Sequence, residues 1–346
     1  MPFPHLRRTP RSALATAGAA FAGLVLLAAC SSTPGEDPEQ QLQMHREFAL
    51  RYFDEGDLAR AEQQVDKGLE IDEDDRQLLL MKGWIRQRRG TAQDILVAEA
   101  IFRELDDDED FRVELGLGEA LERKGVLYRE AAEGVSSGER FTESSDPQER
   151  AAELTRTAED CWSEALECYA DALALKPGEF QAMNGLQRVH ALRGEYEDSL
   201  RWAEDLLEGS RAEMEFWRER LRRPELSATE EERLRNLLRG STDLQSATHL
   251  TAATLLVALG RKEDAVRHLD GAGVLEPERA EIQSRRAQLL AELGRPGEAA
   301  IAVQAFLRHT ELPFEHPDVQ RAYDLLSECE RAARREAAAA QAQQGG

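Results

Sequence analysis

The sequence predicts an all-α protein built as a solenoid of antiparallel helix pairs, and three observations predict it. The first is composition. Only 6% of the 346 residues are aromatic and 12 are Pro, while the strong helix formers Ala, Leu, Glu and Arg dominate. The second is a ladder of glycines. Gly56, Gly90 and Gly125 are 34 and 35 residues apart, Gly194 follows after 69, Gly260 after 66 and Gly294 after 34. Each is placed to form the tight turn between the two helices of a unit. Four of them are followed five positions later by a small residue: Ala61, Ser199, Ala265 and Ala299. The third is the stretch 161–179, CWSEALECYADALALKPGE. Ala165, Tyr169 and Ala172 share one helical face there, and Pro177 ends the helix because it lacks an amide proton.

The Ala-x3-aromatic-x2-Ala-x4-Pro spacing of that stretch resembles the second helix of a tetratricopeptide repeat, a helix-turn-helix unit of about 34 residues. Ala265, Leu269, Ala272 and Pro277 repeat the spacing with Leu in the aromatic place. The resemblance implies a right-handed superhelix of about six such units, with a concave surface lined by the first helix of each pair.

The N-terminus reads as a targeting segment. Residues 1–12 carry Arg7, Arg8 and Arg11 and no acid, and residues 13–29 are small or apolar apart from Thr16. The apolar run is short for a bilayer span of about 20 residues. It ends in Leu27-Ala28-Ala29-Cys30, which resembles a bacterial lipobox. That resemblance implies cleavage of residues 1–29 and acylation of Cys30. Ser31 and Ser32 follow with no Asp. By similarity to lipoproteins of two-membrane bacteria, this implies the inner leaflet of the outer membrane, facing the periplasm. Residues 30–41 are then the lipidated Cys and a flexible tether, whose ten residues from 31 to 40 reach at most about 35 Å.

The array is expected over 42–315. Unit one (42–75) puts Phe48, Ala49 and Tyr52 on the inner face of its first helix and Ala61, Val65 and Gly68 on that of its second. Unit two (76–109) uses Leu79, Gly83 and Trp84, then Ala98, Phe102 and Leu105. Unit three begins near Asp110, where Leu117-Gly118-x-x-Leu121 is similar to the core of the family's first helix. Its insertion, about 126–160, predicts two lengthened helices joined by a loop, with Asp146 as N-cap and Pro147 as the first helical residue. Unit four (180–208) is followed by a second insertion, 209–245. Pro224 and the capping box Ser227-x-x-Glu230 make that insertion a degenerate helical pair. Units five (246–279) and six (280–309) follow. A capping helix is predicted over 316–340 and a disordered tail over 341–346.

The formal charge of −23, or −26 without the three arginines of residues 1–29, excludes a nucleic-acid binder on electrostatic grounds. No Gly-rich phosphate loop, nucleophile elbow or zinc-protease motif is present, and the seven His are scattered. The sequence therefore predicts no enzyme, no catalytic residue, no metal and no cofactor. Cys161 and Cys168 are seven residues apart on one helix, too far to bridge each other. They read as core residues, with a bridge from Cys329 to either as the alternative. The acidic runs at 72–75 and 106–110 read as solvated loops and helix caps, with weak calcium binding as the alternative.

Arg and Trp dominate protein-binding hot spots. By the family's geometry, Arg46, Trp84, Gln87, Arg88, Arg112, Asn184 and Arg188 form the candidate peptide-binding groove. The alternative for the arginines is intrahelical pairing with Glu neighbours and favourable charge at helix C-termini. The expected function is a membrane-anchored, periplasm-facing scaffold that binds envelope proteins or their peptide segments. Its general architecture is similar to pilotin-type lipoproteins that help assemble pilus or secretion machines. A periplasmic enzyme or regulatory subunit is the competing class.

Overall fold

The computed structural model describes residues 37–105, 109–140, 142, 144 and 146–344. The signal segment, Cys30 and most of the tether lie outside the described residues. Among the described residues there are thirteen helices and no strand. They form six antiparallel pairs and a cap: α1 (Pro38–Asp54) with α2 (Leu58–Leu69), α3 (Arg76–Arg89) with α4 (Ala92–Glu104), α5 (Phe111–Ser136) with α6 (Pro147–Leu175), α7 (Phe180–Leu192) with α8 (Tyr196–Leu221), α9 (Ala228–Ala258) with α10 (Lys262–Leu275), α11 (Ala280–Glu292) with α12 (Pro296–His309), and α13 (Pro317–Gln344). Each helix packs on the next in sequence. The first helices α1, α3, α5 and α7 also touch in succession, so they form a continuous row.

Two devices set this packing. The first is the turn. Gly56, Gly90, Gly194, Gly260 and Gly294 all have φ between 69 and 78°, the left-handed region that glycine enters without a Cβ penalty. The second is a notch. Phe102 of α4 lies against Gly83 of α3 and Gly116 of α5, where an added Cβ would stand 2.7 and 2.5 Å from its ring. Tyr169 of α6 lies the same way against Gly118 of α5 and Gly185 of α7, at 3.0 and 2.3 Å. An aromatic side chain on each of these second helices thus locks two successive first helices. The small residues Ala61, Ser199, Ala265 and Ala299 are fully buried, which lets their helices approach closely.

Several sequence expectations need correction. Gly125 is not a turn. It lies inside α5, where a Cβ would meet Trp162 Nε1 at 2.3 Å. The turn of this pair follows Ser136 instead. The insertion at 209–245 is not a separate helical pair. It lengthens α8 and α9, because nothing before Pro224 breaks α8 and nothing after the Ser227 cap breaks α9. Ser227 Oγ accepts from Glu230 N at 3.2 Å. The array starts before residue 42, since Asp37 caps α1 and Pro38 takes its first position. At the other end α13 runs to Gln344, through Ala and Gln that favour helix, into the stretch expected to be disordered. Phe48 stands exposed rather than on the inner face.

Cys161, Cys168 and Cys329 are buried and free, so the alternative bridge is not formed. Burial pushes all three thiols up. No helix among the described residues is long and apolar enough to cross a membrane.

Candidate partner-binding groove

The row of first helices positions the groove. A cavity of about 380 Å³ opens between α1, α3 and α5, and its walls include Arg46 and Leu50 of α1, Met81 and Trp84 of α3, and Arg112 of α5. Three of the sequence-predicted groove residues therefore meet. Trp84 packs edge-on to Phe102, 5.5 Å between ring centroids, so one side of the indole is held by the core while the other borders the cavity. Leu50 is 51% exposed beside it.

Both groove arginines are already engaged. Arg46 donates through Nε to Asp75 Oδ2 at 2.9 Å and through Nη2 to the same oxygen. Asp75 is buried and also caps α3, accepting from Leu78 N at 2.8 Å. That hydrogen bonding raises Arg46 above its ordinary value. Arg112 grips Asp110, the N-cap of α5, at 2.9 and 2.8 Å. The Arg112 guanidinium holds Asp110 below the usual carboxylate range. Each arginine thus spends its charge on an aspartate at a helix start. What remains open to a ligand is an apolar floor with a polar rim, which also carries Glu47, accepting from Gln43 at 2.9 Å.

Other predicted residues are placed differently. Gln87 is buried and donates to Glu119 at 3.0 Å and to the Gly116 carbonyl at 3.4 Å, so it joins α3 to α5 instead of facing the groove. Arg88 lies over the Phe53 ring at 4.1 Å and donates to the Phe53 carbonyl, packing back on α1. Asn184 is half-buried on α7, outside the cavity. Arg188 forms a two-pronged ion pair with Glu122, 2.7 Å on each arm. The basic run is paired as well, but across helices and not within one helix as the alternative expected. Arg86 meets Glu62 and Asp94, and Arg89 meets Glu62.

No family model and no characterised protein matches the sequence. Solved structures do. The chain is similar to a thermophilic tetratricopeptide repeat protein of Thermus thermophilus at 14% identity, over 74% of this chain and all of that one, with a TM-score of 0.43. It is similar to pilF of Pseudomonas aeruginosa at 14% identity, over 82% and 97%, with a TM-score of 0.47. A tetratricopeptide repeat protein from Parabacteroides merdae aligns at 15% identity, over 84% and 99%, with a TM-score of 0.35. The chain's own helix order and packing make it a solenoid of antiparallel helix pairs.

Sequence reasoning missed the hub of this solenoid, Glu122. It is 8% exposed on α5 and accepts from Arg188 of α7 and, at 2.6 Å, from Tyr169 Oη of α6, so it joins three helices. Burial and the Glu122 carboxylate push the Tyr169 hydroxyl well up. Burial opposes the Arg188 charge, but the Glu122 bonds outweigh it and hold Arg188 raised. The only signal in the sequence was Tyr169 itself, since a buried phenol needs a partner. The solenoid also gathers His190, Glu195 and Asp198 at the α7–α8 turn, with ligand atoms within 4.8 Å of one another. Arg193 and Arg201 already pair with the two carboxylates there.

Proposed function

We propose that the protein is a scaffold that docks a partner protein of the bacterial envelope on the row α1–α3–α5, and that lipid on Cys30 holds it at the membrane. The observation that carries the docking site is the floor formed by Leu50, Met81 and the open side of Trp84, rimmed by Arg46–Asp75 and Arg112–Asp110. An apolar centre inside a polar rim is the ordinary anatomy of a protein-binding patch. Because both rim arginines are already paired, the floor selects an apolar anchor side chain on the partner. The lipid anchor rests on the apolar run and the Leu27-Ala28-Ala29-Cys30 sequence. Two or more acyl chains are needed for stable anchoring.

The test is crosslinking and recovery from native membranes with wild type, Cys30→Ser, and a Met81→Ala/Trp84→Ala double variant. Wild type is expected to recover a stoichiometric envelope partner, and the double variant at least about tenfold less. The Cys30→Ser protein is expected to be soluble and to lose the partner. Undiminished recovery by the double variant would move the docking site elsewhere, and membrane fractionation of Cys30→Ser like wild type would end the lipid reading. A partner belonging to a pilus or secretion machine would make the scaffold an assembly factor of that machine. No partner with any variant would favour an enzyme or regulatory subunit.

A further inference from the structure

Unit five carries a histidine pair that the docking function does not use. His249 of α9 and His268 of α10 face each other with their Nδ1 atoms 3.1 Å apart. The rings are 5.2 Å between centroids and tilted by 60°, so they meet through their nitrogens and not by stacking. Two imidazoles on one divalent ion, each at about 2.0–2.1 Å, have nitrogens about 2.9 Å apart at a right angle and about 3.3 Å apart in a tetrahedron. The pair is set at a spacing between these two. The fold makes room for this arrangement. A Cβ at Gly271, on the same helix as His268, would stand 2.7 Å from His249 Cε1. Both rings are held below the ordinary histidine value by burial, His249 at about 4, so both are neutral at neutral pH. In the metal-free chain one Nδ1–H donates to the other Nδ1, and moving that proton to Nε2 turns both Nδ1 lone pairs to a shared ion. Glu204 and Asp264 favour charge at His268, Arg261 and Arg267 oppose it, and Arg211 opposes it at His249. With the surrounding charge nearly balanced, ligand type rather than attraction would select the ion.

We propose that His249 and His268 are a two-imidazole chelate for a divalent transition ion of the Zn²⁺, Ni²⁺ or Cu²⁺ class, clasping α9 to α10 across unit five. Water fills the other coordination positions. Hard, oxygen-seeking ions such as Mg²⁺ and Ca²⁺ are not ligands for such a site.

The experiment uses the full chain, freed of metal, at pH 7.5, with Zn²⁺, Ni²⁺ and Mg²⁺ as calorimetric and thermal-melt probes. The variants are His249→Gln, His268→Gln, Gly271→Ala and His190→Gln. Wild type is expected to bind one Zn²⁺ or Ni²⁺ and to melt on the order of 5 °C higher at a hundredfold excess over Kd, with no response to Mg²⁺. Either Gln substitution at the pair is expected to lower affinity at least tenfold, and His190→Gln to leave it intact. Gly271→Ala keeps both imidazoles but displaces one ring, so it is expected to weaken binding in a protein whose metal-free melt stays cooperative. Paramagnetic resonance with Cu²⁺ adds a readout that stability does not move: two nitrogen ligands in wild type and one in each single variant. Binding that survives both Gln variants overturns the proposal. So does binding abolished by His190→Gln, which would assign the ion to His190, Glu195 and Asp198.

Discussion

The solenoid carries two long hairpins of nearly equal length. α5 and α6 have 26 and 29 residues, and α8 and α9 have 26 and 31. The first belongs to a single unit and is apolar along its seam. Trp162 and Tyr169 are fully buried at its base, and Ala132, Val135, Ala151 and Leu154 form a separate cluster toward its tip. Arg129 covers Trp162 at 4.8 Å and pairs with Glu159 at 2.6 Å. The second joins two units, the last helix of unit four and the first of unit five. Its seam is mixed, with Ser210, Ser241 and Gln245 buried beside Leu206 and Leu207, and Met214 and Leu234 are its buried apolar residues toward the tip. Ser241 Oγ reaches Glu213 at 2.6 Å, Phe216 is 53% exposed, and Trp217 Nε1 has no partner among the described residues. Equal length therefore hides unequal cohesion. Burying methylenes stabilises a seam by roughly 0.8 kcal/mol each, whereas a hydroxyl bonded in a seam returns little more than it loses from water.

The comparison breaks most sharply at Trp162. Trp162→Ala should cost about 3–5 kcal/mol in urea unfolding, because it removes the residue that fills the Gly125 notch and leaves a cavity. A loss below about 1 kcal/mol would mean the first hairpin is not the better-packed one. Next is its polar clasp. Glu122→Gln should cost about 2 kcal/mol, since the Arg188 and Tyr169 bonds lose their charge assistance while Oε1 can still accept. Partner recovery through the α1–α3–α5 floor should be unchanged in that variant, because Glu122 does not border the cavity.

Acid separates the two regions in the opposite sense. The base of the second hairpin rests beside a histidine pair that burial keeps neutral, with His249 down at about 4. Between the ordinary value near 6.5 and 4, the unfolded chain takes up a proton that the folded chain refuses. Stability that is complete above pH 6.5 is thus expected to fall as pH drops toward 4 and to level off below it. The check is the melting temperature at pH 7.5 and 5.0. His249→Gln should flatten the difference. An equal drop in the variant would assign the acid sensitivity to other groups.

Much of this fold was legible because its signals are local. The glycine ladder and the small residues five positions on are consequences of a tight turn and a close helix approach, and both are printed in the sequence. Pro147 after Asp146 marked the start of α6 for the same reason. Gly125 shows the limit. It kept the period of the turn glycines but serves Trp162, and a glycine needed for contact looks like one needed for φ. The second hairpin was misread because Pro224 and the Ser227 cap announce a break without saying which units the flanking helices extend. Of the residues expected to form a groove, Arg46, Trp84 and Arg112 border one cavity. Gln87, Arg88 and Arg188 turn to Glu119, Phe53 and Glu122 instead, which are 32, 35 and 66 residues away. Spacing along one helix fixes which face a side chain takes, not what waits on the neighbouring helix.

The smallest expected effect is at the exposed end of the second hairpin. Phe216 stacks edge-on against Trp217, 4.7 Å between centroids, yet half of it faces water. Phe216→Ser should change unfolding stability by no more than about 0.5 kcal/mol, because little burial is lost. The informative readout is therefore binding. If the variant also leaves partner recovery unchanged, the loose hairpin is a spacer and the floor at Leu50, Met81 and Trp84 carries docking alone. If recovery falls while stability holds, the mixed seam has a reason. A hairpin that costs little to bend can adjust to a partner already gripped by the rigid half of the solenoid, and its exposed aromatic end is the second contact.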